Sequence, residues 1–225
     1  TGGVLYIWPP QGTDMPTATI EAATRATLLQ IEGKTNLTLR GLTFQNGNSC
    51  IGDATVILSG SVNLLVENCR FLWNNWSGLL CYHVWNPTIR GIVADSNGGT
   101  GIEGQQIENV TYENNDTSYN TWRGAWGGFY AWAMAGGKFS QVHLGSLRGF
   151  SATANQSRGL WFDTDNANIT VDTGYVTQNR LDGIFIEASQ GPLSITNSHL
   201  CSNSGNGVLI ANSQDVTLVG NTVYN

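Results

Sequence analysis

Charge is scarce in this sequence. Asp, Glu, Lys and Arg make up 12% of the residues, about half the usual share of a globular domain. Ten residues are Lys or Arg, and they form no cluster. The basic footprint that nucleic-acid binding needs is therefore missing, and no nucleic-acid partner is expected. No apolar run reaches the ~20 residues of a membrane span, and no basic segment followed by an apolar stretch marks a signal peptide here. The chain starts at Thr1-Gly2-Gly3 without Met, so a trimmed or partial N-terminus is expected. Cysteine is limited to Cys50, Cys69, Cys81 and Cys201. Their spacing matches no zinc pattern, so no metal ligands are assigned. Cys69 and Cys81 stand among apolar residues and are expected to be buried as small hydrophobes.

Gly, Asn, Thr and Ser fill the space that charge leaves. Gly and Asn are poor helix formers, and the 28 glycines suit many short strands separated by turns. At 40% hydrophobic residues the chain has enough apolar material for a core, and 225 residues fit one domain.

An internal repeat organises the chain. Asn-x-x-x-Gly recurs at Asn48/Gly52, Asn74/Gly78, Asn97/Gly101, Asn120/Gly124, Asn155/Gly159, Asn179/Gly183 and Asn203/Gly207, in steps of 26, 23, 23, 35, 24 and 24 residues. Asn225 stands where the next repeat should begin. Short alternating segments run in phase: Leu37–Leu39, Leu64–Val66, Pro87–Ile89, Val110–Tyr112, Val142–Leu144, Ile169–Val171, Leu193–Ile195 and Val216–Leu218. Leucine-rich repeats have a similar period but need a Leu-x-x-Leu-x-Leu frame. Here each period holds two or three strand-like pieces and no helical stretch. The expected fold is all-β, a right-handed parallel β-helix of about eight coils of 22–27 residues. The repeated Asn should stack in a turn and satisfy backbone groups there.

The whole of residues 1–225 is expected to be one solenoid domain. Residues 1–18 form a lead-in with a short strand at Val4–Ile7, and Leu29–Ile31 starts the first coil in preference to a helix over Ala22–Leu29. The C-terminus stops mid-coil without a polar cap. Solenoids need caps, so a longer parent chain is expected. One coil carries a Gly-rich aromatic insertion at 121–138, with Trp126, Tyr130 and Trp132 as candidate ligand-holding residues, because solenoid insertions often lie on the binding face.

Counting from the glycines, the fifth residue of each segment is Tyr82, Gln105, Asp163, Glu187 and Ala211. Alternation turns Leu160, Phe162, Ile184 and Ile186 inward, and Trp161, Asp163, Phe185 and Glu187 outward. Exposed Trp161 and Phe185 would suit the apolar face of a sugar ring. Two stacked carboxylates repel, which raises one pKa and leaves an acid beside an ionised carboxylate, the pair that glycoside hydrolysis requires. Rung spacing places them about 5 Å apart, the retaining range. Asp165 is a third carboxylate nearby, Lys138 a candidate electrostatic contact, and His83 follows Tyr82 on the same face. His143 and His199 fall inside strand patterns and are expected to be structural.

The stretches Gly159-Leu160-Trp161-Phe162-Asp163-Thr164-Asp165-Asn166 and Gly183-Ile184-Phe185-Ile186-Glu187-Ala188-Ser189-Gln190-Gly191-Pro192 resemble bacterial right-handed β-helix repeat proteins of the pectate-lyase-like superfamily. The 24-residue Asp-to-Glu spacing is similar to that of the β-helical β-xylosidase family. The segment from Trp122 to Lys138 also looks like one these proteins carry before the Asp motif. The likeness covers residues 4–225 and implies Asp163 as nucleophile and Glu187 as general acid/base. The β-xylosidases are longer and carry a second domain not found in these residues.

Three functions follow as expectations. The first is a retaining glycoside hydrolase acting on plant or microbial saccharides without a cofactor. The second is a polysaccharide lyase, with Ca2+ held by Asp163, Asp165 and Glu187 and Lys138 or Arg158 as base. The third is a non-catalytic, glycan-binding or structural surface solenoid. Each implies a carbohydrate partner and an extracellular or cell-surface location.

Overall fold

The computed structural model describes residues 6–224. It is a parallel β-solenoid with three strand faces. The first face stacks Leu29–Glu32, Ala54–Val62, Ser77–Trp85, the leading parts of Ile102–Glu113 and Ala135–Arg148, then Arg158–Asp163, Ile184–Glu187 and Val208–Ala211. These eight strands pair in parallel, coil on coil. The second face runs from Thr38–Arg40 to Val216–Val219 and includes the trailing parts of the two long strands. The third face is two short stacks that meet at Asp116, which bridges Val93 and Ser151.

Inside the coils, side chains stack on their own kind. Tyr112, Phe139 and Phe162 follow one another at ring separations of 5.2 and 5.6 Å. Gly104 makes room for them, since a Cβ there would sit 2.9 Å from the Phe139 ring. Cys69, Cys81 and Cys201 are buried and unpaired, as expected for the first two. Burial pushes the Cys81 thiol up to about 12.

The recurrent Asn is the internal spine. Asn74, Asn97, Asn120, Asn155, Asn179 and Asn203 are all buried. Each of the last five uses its side-chain oxygen to accept the backbone N–H of the Asn one coil earlier, at 2.9–3.1 Å. Side-chain amides also donate along the ladder at 2.9 Å and to carbonyls of the third face. Two further ladders run outside. Left-handed Asn36, Asn63, Asn86 and Asn109 link their amides at 2.9–3.1 Å. In the second face the register aligns Arg40, Glu67, Arg90, Glu113, Arg148 and Asp172, alternating in sign. Arg90 and Arg40 hold the Glu67 carboxyl below its usual range.

Several expected positions shift. Asn48 is exposed, and Gly47 donates to Asn74 in its place. Gly124 is not on the rung; it sits in a short helix, Trp122–Gly127, under Met134. Gly136 takes the rung and hydrogen-bonds to Gly101. The insertion therefore ends near residue 134, and Gly136, Gly137 and Lys138 belong to a strand. Val142 pairs with Ile107, so the equivalent of Val110–Tyr112 is Gly145–Leu147, not Val142–Leu144. Among the described residues, the lead-in runs from 6 to 28 without helix or strand. Val4 and Leu5 of the expected first strand, and Asn225, lie outside the described residues; Tyr6 and Ile7 are not in a strand.

Replacing Asn179 by Ala strands several buried partners, each costing about 1–3 kcal/mol. Chemical denaturation should show Asn179→Ala destabilised by about 3 kcal/mol or more, and Asn48→Ala changed by less than about 0.5 kcal/mol. Equal effects would mean that the ladder carries no special share of stability.

Candidate functional site

Two outward columns of the first face build the site. In one, register aligns Tyr82, Gln105, Ser140 and Asp163, with Glu187 one rung beyond, opposite Ala211. This is the expected column with Ser140 added, because Gly136 and not Gly124 starts that coil. In the other, two residues earlier, stand Leu80, Glu103, Lys138, Trp161, Phe185 and Leu209.

The columns open into a groove of about 440 Å³ whose lining includes Glu103, Gln105, Lys138 and Asp163. Trp76 and Trp132 wall it; Trp76 is braced by Phe129 of the insertion, with ring centroids 6.3 Å apart. Asp163 is held in a defined orientation. Lys138 Nζ lies 3.0 Å from Oδ2, and the Thr164 N–H and hydroxyl donate to Oδ1 at 2.9 and 3.0 Å. Glu103 contrasts with it. Burial raises its pKa above the ordinary carboxylate value, although the Ser77 hydroxyl, the Lys138 charge and Thr100 pull the other way. One groove thus contains an ion-paired carboxylate and a carboxyl whose pKa burial raises. Glu103 was missed in the sequence because only the fifth position after each Gly was compared; the same alternation at the third position points to it.

The outward aromatics are not exposed. Trp161 and Phe185 keep 8% and 6% of their surface. The Arg158 guanidinium covers both, 4.6 Å from each ring, and Lys138 Nζ lies 4.2 Å from the Trp161 ring. Arg158 is itself fastened to Ala131 O of the insertion at 2.9 Å and lies 3.7 Å from Asp182. The outward side of this face is a second small core, not a stacking platform. Glu187 is half-buried next to it, outside the groove lining.

The insertion aromatics divide. Trp132 reaches the groove. Tyr130 lies 3.7 Å under the Arg180 guanidinium. Trp126 is 90% exposed and joins Trp73, Tyr119 and Trp122 on another surface. Asp165 has left-handed backbone and turns away from Asp163 toward His143. His143 is half-buried within its strand. Its Nδ1 lies 2.9 Å from Glu108 Oε1 and its Nε2 lies 3.1 Å from the Asp165 carbonyl. His199 is exposed against Tyr175. Tyr82, His83 and Trp85 stack in sequence, at 5.0 and 5.7 Å.

The model of the right-handed beta helix region family matches residues 27–223. The chain belongs to that family. Its sequence matches no curated protein. Among solved structures it is similar to the mannuronan C-5 epimerase AlgE6 A-module of Azotobacter vinelandii, with TM-score 0.64 and 19% identity over 89% of this chain and 55% of the module. It is similar to XylC, solved in complex with xylose, with TM-score 0.68 and 15% identity over 82% of this chain and 36% of XylC. It is also similar to the enzymatically active domain of tailspike protein 2 of bacteriophage CBA120, with TM-score 0.66 and 12% identity over 83% of this chain and 28% of that one. At these identities the likeness shows the shared fold. The chain spans just over half the length of the epimerase module. Among the described residues no helix is long and apolar enough to cross a membrane.

The His143 ion pairs carry a pH dependence. Burial pulls its pKa down, but the Glu108 carboxylate and then the Asp165 carbonyl and carboxylate outweigh this, and the net shift is upward. The stabilisation is therefore full below the unfolded value near 6.5 and fades as pH rises through the folded-state value. His143→Gln should lower the melting temperature at about pH 5.5 and change it little at about pH 9. A loss that grows with pH would contradict this assignment.

Proposed function

We propose that the chain is a carbohydrate-active β-helix acting outside the cytoplasm, and that its groove hydrolyses glycosidic bonds. The observation that carries this reading is an oriented, ion-paired Asp163 sharing its groove with Glu103, whose pKa burial raises, and standing one rung from Glu187. Glycoside hydrolysis needs one carboxylate and one carboxylic acid across the scissile bond. The mannuronan of one structural neighbour and the xylose bound to another support a saccharide substrate.

Asp163 is the proposed nucleophile and Glu187 the proposed acid/base. Adjacent rungs lie about 4.8 Å apart, near the ~5–5.5 Å carboxyl separation of retaining enzymes. Lys138 neutralises and orients Asp163 until the substrate arrives. Gln105, Ser140 and Trp132 are proposed to contact the sugar, with Tyr82 at the end of the column. Trp161 and Phe185 support the wall from beneath.

One observation favours a second assignment of the acid. Glu103 lines the groove and has a raised pKa, whereas Glu187 stands outside the lining. Glu103 and Asp163 stand in different columns two coils apart, a wider spacing than the single rung of a retaining pair. The lyase expectation finds less support: among the described residues no three acidic, His or Cys side chains gather as a cation site, and Lys138 is committed to Asp163.

The test is hydrolysis of a panel of aryl glycosides and oligosaccharides by wild type, Asp163→Ala, Glu187→Gln and Glu103→Gln, with product anomers followed by NMR. Asp163→Ala should lose at least about 100-fold in rate. Retained configuration with loss in Glu187→Gln fits the retaining assignment. Inverted configuration with loss in Glu103→Gln fits the second. Full activity of Asp163→Ala would overturn both.

A further inference from the structure

The groove continues past Gln141. That side chain also borders a second cavity of about 230 Å³, walled by His83, Trp85, Gln106, Glu108, His143 and Asp165. This is smaller than the ~300–1,000 Å³ of a site that takes a whole ligand; it suits one ring of a longer chain. We infer that the cavity is a subsite for one uncharged sugar ring of the glycan held by the groove. The inference rests on the hydrolase reading and gives its substrate a class, neutral in place of uronate-rich.

Three features carry it. The Tyr82–His83–Trp85 stack ends at the cavity in Trp85, which is 40% exposed, so an apolar aromatic surface borders an otherwise polar space. Gln106 Oε1 is buried there with no donor from the protein; a sugar hydroxyl supplies one once the carboxamide turns toward the cavity. The charges then select. Glu108 and Asp165 present two carboxylates, while both ring nitrogens of the intervening His143 are already engaged, at 2.9 Å by Glu108 and 3.1 Å by the Asp165 carbonyl. The cation in the adjoining groove, Lys138, is likewise engaged by Asp163 at 3.0 Å. Hydroxyls find acceptors in this cavity. Among the described residues of the cavity and the adjoining groove, a uronate carboxylate finds two like charges and no free cation, which is repulsion without compensation.

Calorimetric binding to the full chain carrying Asp163→Asn, which is expected to block turnover, provides the test. The probes are xylohexaose and cellohexaose, against hexagalacturonate and hexamannuronate. At least one neutral hexasaccharide should bind, and each uronate should bind at least about tenfold more weakly than it. Adding Trp85→Ala should weaken neutral binding about tenfold. Trp85→Leu, which keeps bulk and loses the flat face, serves if the Ala variant does not fold. Adding Glu108→Gln with Asp165→Asn should narrow the gap between neutral and uronate chains. Tighter uronate binding, indifference to Trp85, or no binding of any probe overturns the subsite. Because binding is read without turnover, a chain that holds neutral hexasaccharides through Trp85 but cleaves nothing with Asp163 restored refutes the hydrolase and keeps the subsite. Cleavage indifferent to Trp85 does the reverse.

Discussion

The structure depends on how a coil turns its corner without leaving backbone groups unpaired. Asn74, Asn97, Asn120, Asn155, Asn179 and Asn203 supply that corner. Each is buried, and from Asn97 onward each serves the backbone of the coil before it. A buried amide is costly alone and favourable when its bonds are complete. The ladder completes them by repetition, so every rung relies on the next. The strands can then be as short as three residues, because the turns are defined as firmly as the sheets. The catalytic proposal inherits this: Asp163 and Glu187 stay one rung apart because Asn155, Asn179 and Asn203 hold their coils in register.

The scarcity of charge has a structural counterpart. Of the ten basic residues, Arg40, Arg90 and Arg148 stand in the second-face charge ladder, Arg158 seals the second small core, and Lys138 secures Asp163. The other five, Arg25, Lys34, Arg70, Arg123 and Arg180, stand outside the groove lining. The ion pair at Asp163 and the raised pKa of Glu103 come from pairing and burial on a charge-poor face, not from a dense field.

Most of the fold was legible in the sequence because it is a one-dimensional repeat. Regular 23–24-residue steps placed Asp163 beside Glu187 correctly, since no insertion lies between them. Register failed where the period was interrupted. Asn120 keeps the ladder, but its glycine is delayed to Gly136, so Ser140 dropped out of the column and Val142–Leu144 was displaced by three residues. The exposure expected for Trp161 and Phe185 failed for a different reason. Alternation tells which side of a strand a residue occupies; it cannot show that Arg158 and the neighbouring insertion cover that side. Glu103 and His143 depend on the same non-local neighbours. Glu103 needs the crowding around Ser77 and Lys138, and His143 needs acids from the coils before and after it.

The column from Arg40 to Asp172 does something the Asn spine cannot. Identical residues on every rung look the same whichever coil lies against which, so an assembly that omitted one coil would still join its asparagines. Alternating signs act as a parity check. Omit one coil and Arg40 meets Arg90, or Glu67 meets Glu113, and attraction becomes repulsion at the junction of the two coils. The spine makes stacking possible, and the alternation makes neighbours in sequence neighbours in space.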